Sequence, residues 1–182
     1  MAAGIEVLKK GGVLVIPTDT VYGLAVDGRN PEAVEKIQRI KCRPPGKSLV
    51  RLVAERSEVL PLISSPGIAR LLEKFWPGPL TVIFALPAGD TRGYRMPDND
   101  LVRELIRKSG VELAATSANR SGEPVITSPR SAAELFAGQA DLIIDGGELS
   151  GEASTVFDLS VSPPRLLREG PIKREDLFRV MG

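Results

Sequence analysis

Histidine is absent from the 182 residues, and cysteine occurs once, as Cys42. The first absence excludes a Ser-His-Asp or Cys-His nucleophilic centre, a histidine general base and any histidine metal site. The second excludes an intrachain disulfide and a thiolate zinc site. Long apolar runs are also missing. The longest uncharged stretch, Phe75 to Gly89, contains three prolines and falls short of the roughly 20 apolar residues that a membrane helix needs. Glu6, Lys9 and Lys10 interrupt the only apolar segment near the N-terminus, so no signal-peptide profile is read and a cytoplasmic location is expected. Any chemistry must run on Lys, Arg, Ser, Thr, Asn, Asp, Glu, Tyr and backbone amides.

What is present fits one ordinary domain, residues 1–182, with 42% hydrophobic and 26% charged residues. The net charge of +1 hides an asymmetry: Lys36 to Arg56 holds seven basic residues and one acid, which leaves the rest at −5. Such a concentrated patch suits a compact anion better than a long nucleic acid. Apolar runs predict strands over Val13–Pro17, Leu49–Ala54, Leu80–Leu86, Glu112–Thr116, Asp141–Asp145, Ser154–Leu159 and Arg165–Arg168. Helices are predicted after Asn30-Pro31, with Val34, Ile37 and Ile40 on one face, and from Ser65-Pro66 to Trp76. Three more are read at Asp100–Ser109, Pro129–Ala137 and Arg174–Met181, the first two closed by Gly110 and Gly138. The alternation is α/β but too irregular for a strict βαβ series, so an open mixed sheet is expected rather than a barrel.

Two nucleotide motifs fail on spacing. Gly46-Lys47-Ser48 resembles the end of a P-loop, but Lys41 stands where its first glycine belongs. Gly146, Gly147 and Gly151 lack the dinucleotide-fingerprint spacing. Five polar segments remain, each at the end of an apolar run. Pro17-Thr18-Asp19-Thr20-Val21-Tyr22-Gly23-Leu24 reads either as a hydroxyl-capped turn or as a site. Lys41-Cys42-Arg43-Pro44-Pro45-Gly46-Lys47-Ser48 reads either as dipole partners of a helix end or as a proline-stiffened anion clamp. Ala115 to Gly122 places small hydroxyl and amide groups at a strand end, as close ligand approach requires and as a plain turn also does. The last two are Ala153 to Asp158 and Arg168-Glu169-Gly170; Arg95, before Met96 and Pro97, is equally open to a surface reading. The runs Pro87–Asn99 and Ser121–Ser128 are polar and glycine-containing, and are expected to act as lids.

Taken together, PTDTVYGL at 17–24, KCRPPGKSL at 41–49, RMPD at 95–98, ATSANRSGEP at 115–124, STVFD at 154–158 and LLREGPI at 166–172 resemble the YrdC/TsaC family of threonylcarbamoyl-AMP synthases, in its short single-domain form. The resemblance implies an open twisted α/β sheet with flanking helices and a positively charged central cavity. It also implies condensation of L-threonine, bicarbonate and ATP to threonylcarbamoyl-AMP with release of pyrophosphate. The product would serve downstream threonylcarbamoyl-transferase proteins that modify tRNA beside the anticodon.

That chemistry suits the residue inventory, because the nucleophile belongs to the substrate and catalysis rests on alignment and charge neutralisation. By resemblance, Lys41 and Arg43 are the catalytic pair, and Arg43 and Lys47 hold phosphate. Ser117 and Asn119 meet the nucleotide, with Arg95 and Arg168 near it. Thr20, Ala115, Ser154 and Asn99 are assigned to L-threonine. Asn99 stands where the family commonly has histidine, and Ser48 and Val125 also depart from its pattern. No carboxylate cluster of metal-ligand type is read, so Mg²⁺ is expected to arrive on the ATP phosphates. Two alternatives remain at this point. A non-catalytic RNA-binding module would need stacking aromatics, and the basic cluster has none. A carbamoyl-transfer domain is the other, as found within hydrogenase-maturation carbamoyltransferases, whose further segments this chain lacks.

Overall fold

The computed structural model describes residues 1–42, 48–149 and 151–182. Its elements in chain order begin with α1 (Ala2–Lys9), β1 (Leu14–Ile16), β2 (Gly23–Asp27), α2 (Pro31–Ile40) and β3 (Val50–Leu52). A 3-10 helix (Arg56–Leu62), α3 (Pro66–Phe75), β4 (Leu80–Ala85), β5 (Thr91–Arg95), α4 (Asp100–Ser109) and β6 (Leu113–Ser117) follow. The chain closes with α5 (Pro129–Phe136), β7 (Leu142–Ile143), β8 (Thr155–Asp158), β9 (Arg165–Arg168) and α6 (Arg174–Met181). Nine strands form one mixed sheet in the order β7-β1-β2-β6-β3-β5-β4-β8-β9, the open α/β architecture that the sequence pattern predicts.

Local chemistry sets the helix starts. Asn30, Ser65, Asn99 and Ser128 each accept a backbone N–H three residues on, which satisfies an otherwise orphaned helix donor. Proline follows three of these caps at the first helical position, where its missing N–H costs nothing. Gly110, at φ +67°, closes α4 in the left-handed region that a side chain would disfavour.

Three cores hold the helices to the sheet. Leu8 of α1 and Val102, Leu105 and Ile106 of α4 pack on Leu14, Ile16, Ala25 and Leu113. On the opposite face of those strands, Ala33 and Ile37 of α2 and Ala132 and Phe136 of α5 meet Val15, Leu24 and Val26. Further along that same face, α3 and α6 cover Leu80, Val82, Phe84, Tyr94 and Phe157. Strand alternation turns Thr81, Ile83, Gly93, Arg95 and Val156 the other way, and Ile83 and Val156 belong to none of the three cores. Half of one sheet face is therefore left without a helix layer among the described residues.

The ring of Tyr22 is fully buried, and its hydroxyl accepts from Gly146 N and donates to Gly147 O, both at 2.9 Å. Burial pushes this phenol above its ordinary value, so it keeps its proton at neutral pH. Tyr22→Phe is expected to lower unfolding free energy by about 1–2 kcal/mol, since two backbone groups lose their partner. A urea midpoint equal to that of the wild type would refute this.

Candidate functional site

A cavity of about 700 Å³ lies over the helix-free part of the sheet. Its described lining carries Lys41, Arg95 and Arg168 and no acidic side chain. Thr20, Ala115, Ser117, Asn119 and Ser154 line the same space. Segments read separately along the sequence thus meet at one place.

The first wall is the turn after β1. Thr18 Oγ1 donates to Val21 O at 2.7 Å and accepts from Thr20 N at 3.1 Å, which locks the turn by a hydroxyl rather than by an apolar contact. Thr20 Oγ1 sits 3.0 Å from Thr18 Oγ1 and accepts from Arg95 Nη1, also at 3.0 Å. Arg95, 7% exposed, gives its other donors to Gly78 O at 3.2 Å and Asp19 Oδ1 at 2.6 Å. Burial pushes its guanidinium below the ordinary value while the Asp19 carboxylate opposes that shift.

The second wall comes from β8 and β9. Arg168 donates through Nε to Ser154 O at 2.9 Å and through Nη2 to Ser154 Oγ at 3.3 Å. Its guanidinium is pushed down by burial and then by the like charge of Arg95. Arginine does not give up its proton in such surroundings, so two neighbouring cations face a cavity suited to an anion. Gly170 supports this wall: its N–H donates to Thr155 Oγ1 at 3.0 Å, and a Cβ there would lie 2.3 Å from Ala153 O.

The third wall joins the end of α2 to the exit of β6. Lys41, 4% exposed, donates to Ser117 O at 2.6 Å and to Asn119 O and Asn119 Oδ1 at 2.8 Å. Ser117 Oγ donates to the same Asn119 oxygen, and Asn119 Nδ2 donates to Glu123 O. The walls are tied to one another by Ala118 N to Tyr22 O, Ser121 N to Lys41 O and Gly151 N to Thr20 O.

Arg43 and Lys47 lie outside the described residues. Asn99, assigned to L-threonine by resemblance, is not among the lining residues of the cavity: its Oδ1 accepts Val102 N at 3.1 Å and caps α4. The expected lid at Pro87–Asn99 is corrected as well, because β5 within it pairs with both β3 and β4 in the middle of the sheet. Thr81, 4% exposed and 2.9 Å from Ser154 Oγ, is a lining residue that the motifs did not flag. Its signal was a lone hydroxyl inside the apolar run Leu80–Leu86. A smaller groove of about 370 Å³ opens beside Arg51 and Arg92, but Glu112 and Glu58 already pair with these cations.

No group of three or more Cys, Asp or Glu side chains fit to hold a metal occurs among the described residues. With no carboxylate among the described residues of the cavity lining, this donor set does not suit a protein-held Mg²⁺. No described helix is long and apolar enough to cross a membrane.

A family model named for Sua5, YciO and YrdC, and described as telomere recombination, matches residues 6–170. The threonylcarbamoyl-AMP synthase of Pyrococcus abyssi is 39% identical over 194 residues, covering all of this chain and 56% of the relative. That of Bacillus subtilis is 37% identical over 195 residues with the same coverage. The crystal structure of P. abyssi Sua5 complexed with L-threonine superposes with a TM-score of 0.90 at 37% identity, over 99% of this chain and 56% of that one. The chain thus spans about half the length of these relatives.

Proposed function

The chain belongs to the Sua5/YciO/YrdC family, and from that premise we propose that it is a threonylcarbamoyl-AMP synthase, an ATP-using nucleotidyltransferase. The observation that carries the reading is the cavity itself: among the described residues its lining has three cations, no acid and a rim of hydroxyls around one space. The names of the relatives and the threonine complex of P. abyssi Sua5 support it.

The threonine amine forms an N–C bond to the carbon of bicarbonate, with loss of water, to give a carbamate. A carbamate oxygen then attacks the α-phosphorus of ATP, the bond to the β-phosphate oxygen breaks, and pyrophosphate leaves with that electron pair. Each nucleophile belongs to a substrate, which accounts for a site without histidine or thiolate. The protein's part is to hold three small reactants in line and to offset phosphate charge. Thr20, Ser154 and the Ala115 backbone are assigned to L-threonine. Ser117, Asn119, Arg95 and Arg168 are assigned to the nucleotide, and Lys41 with Arg43 and Lys47 to the phosphates and carbamate. Mg²⁺ belongs to the ATP substrate and no step is routed through it. The product would pass to a transferase acting on tRNA in the cytoplasm.

The test is pyrophosphate release with Mg-ATP, with and without L-threonine and bicarbonate, using L-serine as the control amino acid. Release that needs both threonine and bicarbonate is expected. Release driven instead by carbamoyl phosphate, or none from folded protein that binds ATP, would sink the proposal.

A further inference from the structure

We infer that Thr81 is a positioning residue: with Ser154 it holds one O–H donor toward the cavity, aimed at an anionic oxygen of the substrate. The inference rests on the synthase reading and adds a residue to it. Ser154 Oγ and Thr81 Oγ1 are 2.9 Å apart, and either hydroxyl can be the donor. Ser154 Oγ also accepts from Arg168 Nη2 at 3.3 Å. A guanidinium only donates, so this contact absorbs no hydroxyl hydrogen. Two hydroxyl hydrogens are then available, and the pair consumes one internally whichever way it runs. Neither hydroxyl has another partner among the described residues. Both residues line the cavity and both are at most 5% exposed.

One O–H is therefore unspent at a buried position, where an unsatisfied polar group is costly. Its complement is an acceptor, and the Arg168 guanidinium, 3.3 Å from Ser154 Oγ, makes that acceptor an anion. The role of Thr81 follows from geometry. It sits on β4 opposite Val156 of β8, with its methyl beside Gly93 of β5, so it is held by the sheet floor. Ser154 precedes β8, and without Thr81 its hydroxyl would turn on the longer arginine contact alone. Two groups of the proposed substrates carry such oxygens: the amino-acid carboxylate, with its carbamate, and the nucleotide phosphates.

Two substitutions separate hydroxyl from shape. Thr81→Val keeps the branched outline and removes the O–H; Thr81→Ser keeps the O–H and removes the methyl. Calorimetric titration with L-threonine and with ATP, together with KM and kcat for pyrophosphate release, should show about a tenfold weakening for Thr81→Val, as expected for a lost hydrogen bond to a charged group. The weakening should appear in affinity and KM more than in kcat, and Thr81→Ser should recover most of it. A loss confined to L-threonine assigns the oxygen to the carboxylate, and one confined to ATP assigns it to phosphate. Wild-type affinity for both in Thr81→Val overturns the inference, as does a defect in Thr81→Ser that Thr81→Val lacks, since packing would then be the cause. Wild-type protein that binds both but releases no pyrophosphate defeats only the synthase reading. Wild-type protein that binds neither defeats both.

Discussion

Lys41→Met is expected to lower kcat/KM for pyrophosphate release by about a hundredfold or more, while the protein still folds. Methionine keeps the length of the buried stem and removes the ammonium. Charge stabilisation of this kind contributes about 10²–10³ in rate when a single preorganised donor is removed, and Lys41 is one of three cations on the described lining. The loss is also structural, because Ser117 O, Asn119 O and Asn119 Oδ1 all accept from this group. Asn119 Oδ1 keeps Ser117 Oγ as a donor, so the stability cost falls chiefly on the two backbone oxygens, at about 1–3 kcal/mol each. Lys41→Arg should not restore activity: a planar fork does not satisfy three acceptors gathered around one nitrogen. Turnover at the wild-type rate in Lys41→Met, with unfolding measured in parallel, would show that the ammonium matters only to the loop.

Gly170→Ala should be the more damaging change to the fold, lowering stability by about 3 kcal/mol or more. The new Cβ would lie 2.3 Å from Ala153 O and 2.8 Å from Thr155 N. Both neighbours are backbone, so no side chain can swing aside, and the strand entry itself must move. That entry carries Ser154, which receives Arg168, so the variant should lose substrate affinity in step with its urea midpoint. An unchanged midpoint would mean that the 153–155 backbone gives way at little cost and that Gly170 has no role as a spacer.

Segments of the candidate site stand out in the sequence because their residues break the local rules of the elements that carry them, although each alone reads equally well as a turn. Threonines and an acid directly after an apolar strand, or a serine-x-asparagine at a strand end, have no core to serve. Their assembly into one cavity was not readable from spacing, since Thr20, Arg95 and Ser154 meet only through strand order β2-β6-β3-β5-β4-β8, and it was the family resemblance that joined them. Strand β5 was missed for a related reason: in Thr91-Arg92-Gly93-Tyr94-Arg95 only Tyr94 reaches a core, while Gly93 and Arg95 face the cavity, so no apolar alternation appears. Strand β2 was hidden behind the polar turn that precedes it. Helix α1, with Leu8 its one residue in the core proper, gave too faint a period. Asn99 is assigned to L-threonine from the position of a family histidine, but an Asn before Asp100 and an apolar run is also a helix cap, the part its Oδ1 plays here.

The half of one sheet face that no helix covers among the described residues has a thermodynamic consequence. A doubly covered sheet completes its cores from its own chain, whereas here Ile83, Gly93 and Val156 line the cavity and a molecule bound there would cover them. Occupancy and folding are then linked equilibria, and the stability of this protein in a cell becomes a function of metabolite concentration, rising with the logarithm of ligand once that exceeds its dissociation constant.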